Sequence, residues 1–149
     1  MTKNGYILSI DQGTTSSRAA LISEDGNIIS QKNIEFKQYF PNNGWVEHDP
    51  RDILSSTIDC IKYVINESKV KPEDIMTAGV TNQRETIVVW DKTSGDPVYN
   101  AIVWQDRRTE DICESALKLT EGFNKQEVVI TPKKQNKNGF FERLFHLFR

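Results

Sequence analysis

The spacing of apolar and polar positions divides the first third of the chain into three strands and a helix. "YILSI" at 6–10 and "AALIS" at 19–23 are apolar runs of strand length. Between them, "DQGTTSSR" reads as a turn holding one carboxylate, one glycine, four hydroxyls and an arginine. "EDGN" follows, and Asp25-Gly26 signals a two-residue hairpin because both central positions tolerate positive φ. "NIISQKNIEF" supplies a third strand, so three consecutive antiparallel strands open the chain.

"FPNNGWVEHDP" is a Pro/Asn/Gly loop that ends in a helix start. Asp49 is placed to cap, Pro50 to occupy the first helical position and Asp52 to reach back as in a capping box. Ile53, Leu54, Ile58, Ile61, Val64 and Ile65 then recur at three- and four-residue spacing, an apolar stripe that must cover a sheet. "IMTAGVTN" and "TIVVWD" read as strands, "KTSGDP" as a turn and "VYNAIVWQD" as a further strand. "RRTEDICESALK" reads as a helix with Ile112, Ala116 and Leu117 on one side. Strands, a covering helix, then more strands give an α/β class with a mixed sheet.

Charge divides the chain a second way. Residues 1–117 carry 12 Lys/Arg against 18 Asp/Glu, a net of −6, whereas 118–149 carry 7 against 3, a net of +4. The shift marks a boundary near Leu117, and the acidic main body argues against a nucleic-acid surface. No apolar leader follows Met1 and no run approaches a membrane span, so the expected location is cytoplasmic. Cys60 and Cys113 read as reduced packing residues.

The turn carries the first candidate chemistry. Gly13 allows close backbone approach, and the N–H groups and hydroxyls of Thr14, Thr15, Ser16 and Ser17 can converge on phosphate oxygens, with Arg18 adding charge. Asp11, at the end of the first strand, is placed to hold Mg²⁺ directly or through water. An ordinary Ser/Thr-rich hairpin has the same composition. Without a G-x-x-x-x-G-K-[ST] pattern, a nucleotide is not held in a P-loop. The adjacent Arg84-Glu85 pair can donate to and accept from neighbouring hydroxyls, or be a surface ion pair. Trp104 alone fits a core position, Asp106 fits a helix start or a substrate contact, and His48 reads as structural.

"DQGTTSSR", "GWVEHDP", "GVTNQRETIVVWD" and "NAIVWQDRR", in this order and spacing, closely resemble the N-terminal part of the glycerol kinases, within the FGGY carbohydrate kinases. The resemblance covers about residues 5–117. It implies a partial lobe of the actin-like, ribonuclease-H-type ATPase fold and the transfer of phosphate from ATP to glycerol with Mg²⁺. It implies roles too: Asp11 with the metal; Gly13, Thr14, Thr15, Ser16 and Arg18 on the nucleotide phosphates; Arg84 and Glu85 on the polyol hydroxyls; Trp104 on the glycerol carbons.

The resemblance also defines what to look for beyond Leu117. The family's general base is the Asp of a downstream G-D-Q segment, a tyrosine contributes to the glycerol pocket, and a C-terminal lobe holds adenine and closes the cleft. None is matched in this sequence. The expectation is little or no turnover by this polypeptide alone, an unpaired strand edge and an uncovered sheet face. Glycerol and ATP are the expected partners, with a complementing C-terminal half or a full-length kinase as a further one. In the tail, 139–149 makes a basic amphipathic stripe if helical, through Phe140, Phe141, Leu144, Phe145, Leu147 and Phe148. A disrupted gene, a non-catalytic remnant, or a partner- or membrane-binding fragment each fit such a tail.

Overall fold

The computed structural model describes residues 5–120, and the expected helix at 139–149 lies outside them. The chain divides into two units, Met1–Glu114 and Ser115–Arg149. The first holds both sheets.

Strand β1 (Tyr6–Gln12) runs antiparallel to β2 (Ser16–Ser23), which runs antiparallel to β3 (Ile28–Glu35). The strands reach further into the hydroxyl-rich segment than its composition suggested. Asp11 and Gln12 pair with Arg18 and Ser17, so the turn shrinks to residues 13–15. The next hairpin is also corrected: Ser23 and Asn27 close a three-residue loop in which Gly26 alone is left-handed, at φ 81°. Such loops follow a type I turn with one left-handed residue, which Gly adopts without a Cβ clash.

Helix α1 (Pro50–Ser68) starts where its capping residues place it, with the Asp49 carboxylate accepting from Arg51 N–H at 2.8 Å. It crosses back over the sheet and delivers strand β6 (Ile75–Asn82), which lies parallel to β1. The sheet order is β3-β2-β1-β6, and among the described residues β6 pairs only with β1. Between helix and sheet lies the core: Leu8, Ile10, Ala19 and Leu21 against Cys60, Ile61 and Val64. Leu54, assigned to the stripe by spacing, is instead 61% exposed. Ser56 is buried in the helix face because its hydroxyl meets that of Ser17 at 2.9 Å, with Thr57 donating to the same oxygen at 3.1 Å. Ser17 thus docks the helix and is withdrawn from the turn's mouth.

A second, smaller sheet was not expected. Strands β4 (Gln38–Tyr39), β5 (Glu47–His48) and β7 (Ala101–Ile102) form it, all antiparallel in the order β4-β5-β7. "TIVVWD" does not make a strand. Only isolated bridges form, Ile87 to Ile102 and Trp90 to Pro97, and Ile87, Val89 and Trp90 stay exposed. The Trp90–Pro97 bridge is a non-hydrogen-bonded pair, flanked by Val98 N–H donating to Val89 O at 2.9 Å and Asp91 N–H donating to Asp96 O at 2.8 Å, so proline is tolerated there. "VYNAIVWQD" likewise contributes only the two residues of β7. Helix α2 (Glu110–Thr120) follows, and Ile112 lies exposed on it. Among the described residues, no helix is long and apolar enough to cross a membrane.

Candidate functional site

In parallel neighbours both strands point their carboxyl ends the same way, and open α/β sheets bind ligands beyond those ends. Gln12 stands opposite Asn82 at the ends of β1 and β6, so the β1–β2 turn and the turn after β6 emerge side by side. They enclose a cleft of about 440 Å³. Asp11, Gln12, Gly13 and Thr14 line it from one side, Asn82, Gln83, Arg84 and Glu85 from the other, and Trp104 completes the wall.

The hairpin is tight. Gly13 N–H donates to Ser16 O at 2.9 Å, and a Cβ on Gly13 would stand 3.0 Å from that oxygen, so a side chain would force the turn open. The Gln12 side-chain amide donates to Gly13 O at 2.6 Å. Trp104 reaches across with its indole N–H donating to the Thr14 hydroxyl at 3.1 Å, a contact between residues 90 positions apart. Of the residues expected at a phosphate site, Gly13 and Thr14 line the cleft. Thr15 and Ser16 close the turn without lining it, and Arg18 is exposed on β2 opposite Asp11.

Arg84 and Glu85 form the turn at the far wall. Glu85 sits at φ 60°, in the left-handed region that a residue with a Cβ occupies at a cost of about 1 kcal/mol or more. Such strain persists only where surroundings hold it. Just before it, Gln83 is 8% exposed and its amide nitrogen meets Nδ1 of His48 at 3.3 Å. His48 itself is fully buried, edge-on to Phe36 at 5.1 Å between ring centres, and burial lowers its pKa. Among the described residues, His48 Nε2, Gln83 Oε1 and Thr86 Oγ1 are buried without a hydrogen-bond partner. A buried unpartnered polar group costs about 1–3 kcal/mol, so three together are a concentrated polar investment behind one wall.

Below the site lies an ion-pair clamp. Arg108 donates to Glu47 at 2.7 Å and to both Asp106 oxygens, at 2.8 and 2.7 Å, while stacking on Trp45 at 3.8 Å. Tyr99 and Asn100 also donate to Glu47, at 2.9 and 3.0 Å, and Val46 N–H donates to Asp106 at 2.7 Å. Hydrogen bonds from Arg108 outweigh burial and hold the Asp106 carboxyl at about 2. Burial alone would raise Glu47, but its donors, Arg108 first, bring it below the usual carboxylate range. Asp106 is therefore a clamp residue and does not line the cleft. Sequence reasoning missed Gln12, Asn82, Gln83 and the clamp; the strand-end register of 12 and 82 was the signal available for the first three.

Asp11 is the metal candidate. Among the described residues, no group of three or more His, Cys, Asp or Glu is placed to hold a metal by itself. Mg²⁺ commonly takes one or two carboxylates plus substrate phosphates and keeps several waters, so the Asp11 carboxylate beside the hairpin turn fits that ion.

A three-stranded antiparallel meander extended by a parallel strand, helix on one face, ligand turns at the carboxyl edge, is the opening lobe of an actin-like, ribonuclease-H-type ATPase. The model of the FGGY family of carbohydrate kinases, N-terminal domain, matches residues 6–135, which takes it past Leu117. The chain belongs to this family. It is 60% identical over 109 residues to glycerol kinase 2 of Thermotoga maritima, covering 73% of this chain and 22% of that protein. Over 121 residues it is 54% identical to a glycerol kinase of Caldanaerobacter subterraneus, covering 81% and 24%. The solved structure of Plasmodium falciparum glycerol kinase with ADP superposes with a TM-score of 0.68 at 34% identity, over 81% of this chain and 24% of that one. The chain thus spans about a quarter of the length of the curated relatives it matches.

Proposed function

We propose that this chain forms the phosphate-facing and polyol-facing walls of a glycerol kinase site, which transfers the terminal phosphate of ATP to glycerol. One observation carries the reading: hairpin residues Asp11, Gly13 and Thr14 share a single cleft with Arg84, Glu85 and Trp104. The relatives named above, glycerol kinases all and one solved with ADP, support the choice of substrates.

Gly13 and Thr14 offer backbone and hydroxyl donors to the phosphates, with Thr15, Ser16 and Arg18 adding donors and charge as the nucleotide settles. Asp11 would hold Mg²⁺, which supplies charge neutralisation on the phosphates when bound. A three-carbon polyol has little apolar surface, so recognition must rest on hydrogen bonds. The Arg84 guanidinium donates to one hydroxyl, the Glu85 carboxylate accepts from its neighbour, and the Trp104 ring covers the carbons. Asp11 and Glu85 are then both engaged, which leaves the base that deprotonates the attacking hydroxyl to another segment. A C-terminal segment of a glycerol kinase, added in trans, is the proposed source of that base.

Amide and indole NMR of the ¹⁵N-labelled chain tests this. Glycerol is expected to shift Arg84, Glu85 and the Trp104 indole, and ATP with Mg²⁺ to shift residues 13–16. Glycerol-dependent ADP release is expected only after adding a separately expressed C-terminal segment of a glycerol kinase. Absence of both sets of shifts at saturating ligand refutes the reading.

A further inference from the structure

We propose that His48 is a positioning residue for the polyol-reading turn, acting through Gln83. The inference rests on the glycerol reading of the cleft and goes beyond it, since His48 does not line the cleft and meets Gln83 behind its wall.

Strand β5 is two residues long, and both are polar and fully buried: Glu47 is 2% exposed and His48 0%. Glu47 is fixed by donors from Tyr99, Asn100 and Arg108. His48 extends from that anchored strand to the amide of Gln83 at 3.3 Å. Gln83 immediately precedes the turn in which Glu85 is held at φ 60°. A left-handed residue with a Cβ relaxes unless neighbouring structure over-determines it. The His48–Gln83 link is such a determinant, tying the strained turn to the second sheet.

The chemistry of the link is directional. In the proposed link the Gln83 amide nitrogen donates, Nδ1 of His48 accepts and the proton of the neutral ring sits on Nε2. That Nε2–H finds no protein partner among the described residues. An apolar side chain would fill the same space without stranding a buried donor, so packing alone does not account for histidine. What histidine supplies and leucine lacks is the acceptor at Nδ1, aimed at Gln83.

The test uses the whole ¹⁵N-labelled chain and three readouts. These are the ring ¹⁵N shifts of His48, the amide shifts of Arg84 and Glu85 without ligand, and the dissociation constant for glycerol. Support requires a ring protonated at Nε2. It also requires that His48→Leu move the Arg84 and Glu85 amides and weaken glycerol binding by about tenfold or more. His48→Asn, which keeps an acceptor near the Nδ1 position, is expected to restore glycerol affinity to within about threefold. Equal losses in the Leu and Asn variants would reduce the residue to packing and overturn the proposal, as would unmoved amides in a folded Leu variant. Should His48→Leu fail to fold, Gln83→Met removes the donor from the other side and is judged by the same amide shifts. If the wild type ignores glycerol, the polyol reading fails, while the ring and ligand-free amide shifts still decide whether the strut exists.

Discussion

Replacing Arg108 with leucine removes the cation that pairs with two buried carboxylates, Glu47 and Asp106. The side chains of Glu47 and Asp106 are 3% and 1% exposed and that of Arg108 is 14% exposed, so solvent screens these pairs little. Removing one partner of a buried pair costs about 3–5 kcal/mol because the other charge is left uncompensated. Here the low end applies: Glu47 keeps Tyr99 and Asn100, and Asp106 keeps the Val46 and Arg108 backbone donors. A second route gives a similar size. A carboxyl held at about 2 rather than 3.8 contributes ~2 kcal/mol at neutral pH through Asp106 alone. Arg108→Leu is therefore expected to lose about 3 kcal/mol at pH 7.

The sign with pH follows from the same group. Because the folded value is depressed, Asp106's contribution is fully present above 3.8 and disappears as pH falls through about 2. In Arg108→Leu the buried carboxylate no longer has its cation, so protonation relieves it. The stability gap between wild type and variant should narrow steadily from pH 4 to pH 2. Urea unfolding followed by far-ultraviolet circular dichroism at a series of pH values measures it. A gap under ~1 kcal/mol at pH 7, or one that does not change on acidification, would refute the clamp as the source of stability.

Other outcomes follow from the same structure. Glu85→Gly should relieve the left-handed strain and stabilise the fold by about 1 kcal/mol, while weakening glycerol binding; thermal unfolding and titration check the opposed directions. Leu21→Ala, at a fully buried position, should cost about 2–5 kcal/mol, whereas Leu54→Ala, at a position 61% exposed, should stay within about 0.5 kcal/mol in urea unfolding. A thiol reagent should label Cys113, which is exposed, and spare Cys60, which is buried with its pKa raised by desolvation, until the protein unfolds.

What the sequence disclosed were local signals. β1 to β3 announce themselves by apolar runs and α1 by Asp49 and Pro50; segments 11–14 and 84–85, each of which alone also fits an ordinary hairpin or a surface ion pair, were joined in one site only by the family resemblance. What it concealed depends on distant partners. A two-residue strand such as β5 has no period to detect, and the clamp gathers Glu47, Tyr99, Asn100, Asp106 and Arg108 from separate segments. "TIVVWD" misled because β-branched and aromatic residues favour strands only where a ladder and a covering layer exist. Ser17 misled for the opposite reason: a hydroxyl in a polar run looked like a ligand donor, yet strand alternation turned it inward to Ser56.

The division of the cleft into two walls has a consequence for what each can do alone. Phosphoryl transfer is governed by positioning and by charge stabilisation, with little covalent work for the protein. The hairpin wall is rigid by construction, closed by the Gly13–Ser16 bond and braced by Trp104, so its donors are arranged before any ligand arrives. The opposite wall is rigid by support: Glu85 holds a costly conformation, and its neighbours run back through Gln83 and β5 to the Arg108 clamp. Both walls are thus preorganised for binding within this unit, and binding costs least where donors need no rearrangement. Catalysis differs, because a base and exclusion of water must be added to the same space. Ligand recognition and turnover are therefore separable here. On the proposed reading, ligand-induced shifts in these two walls are therefore expected whether or not transfer accompanies them.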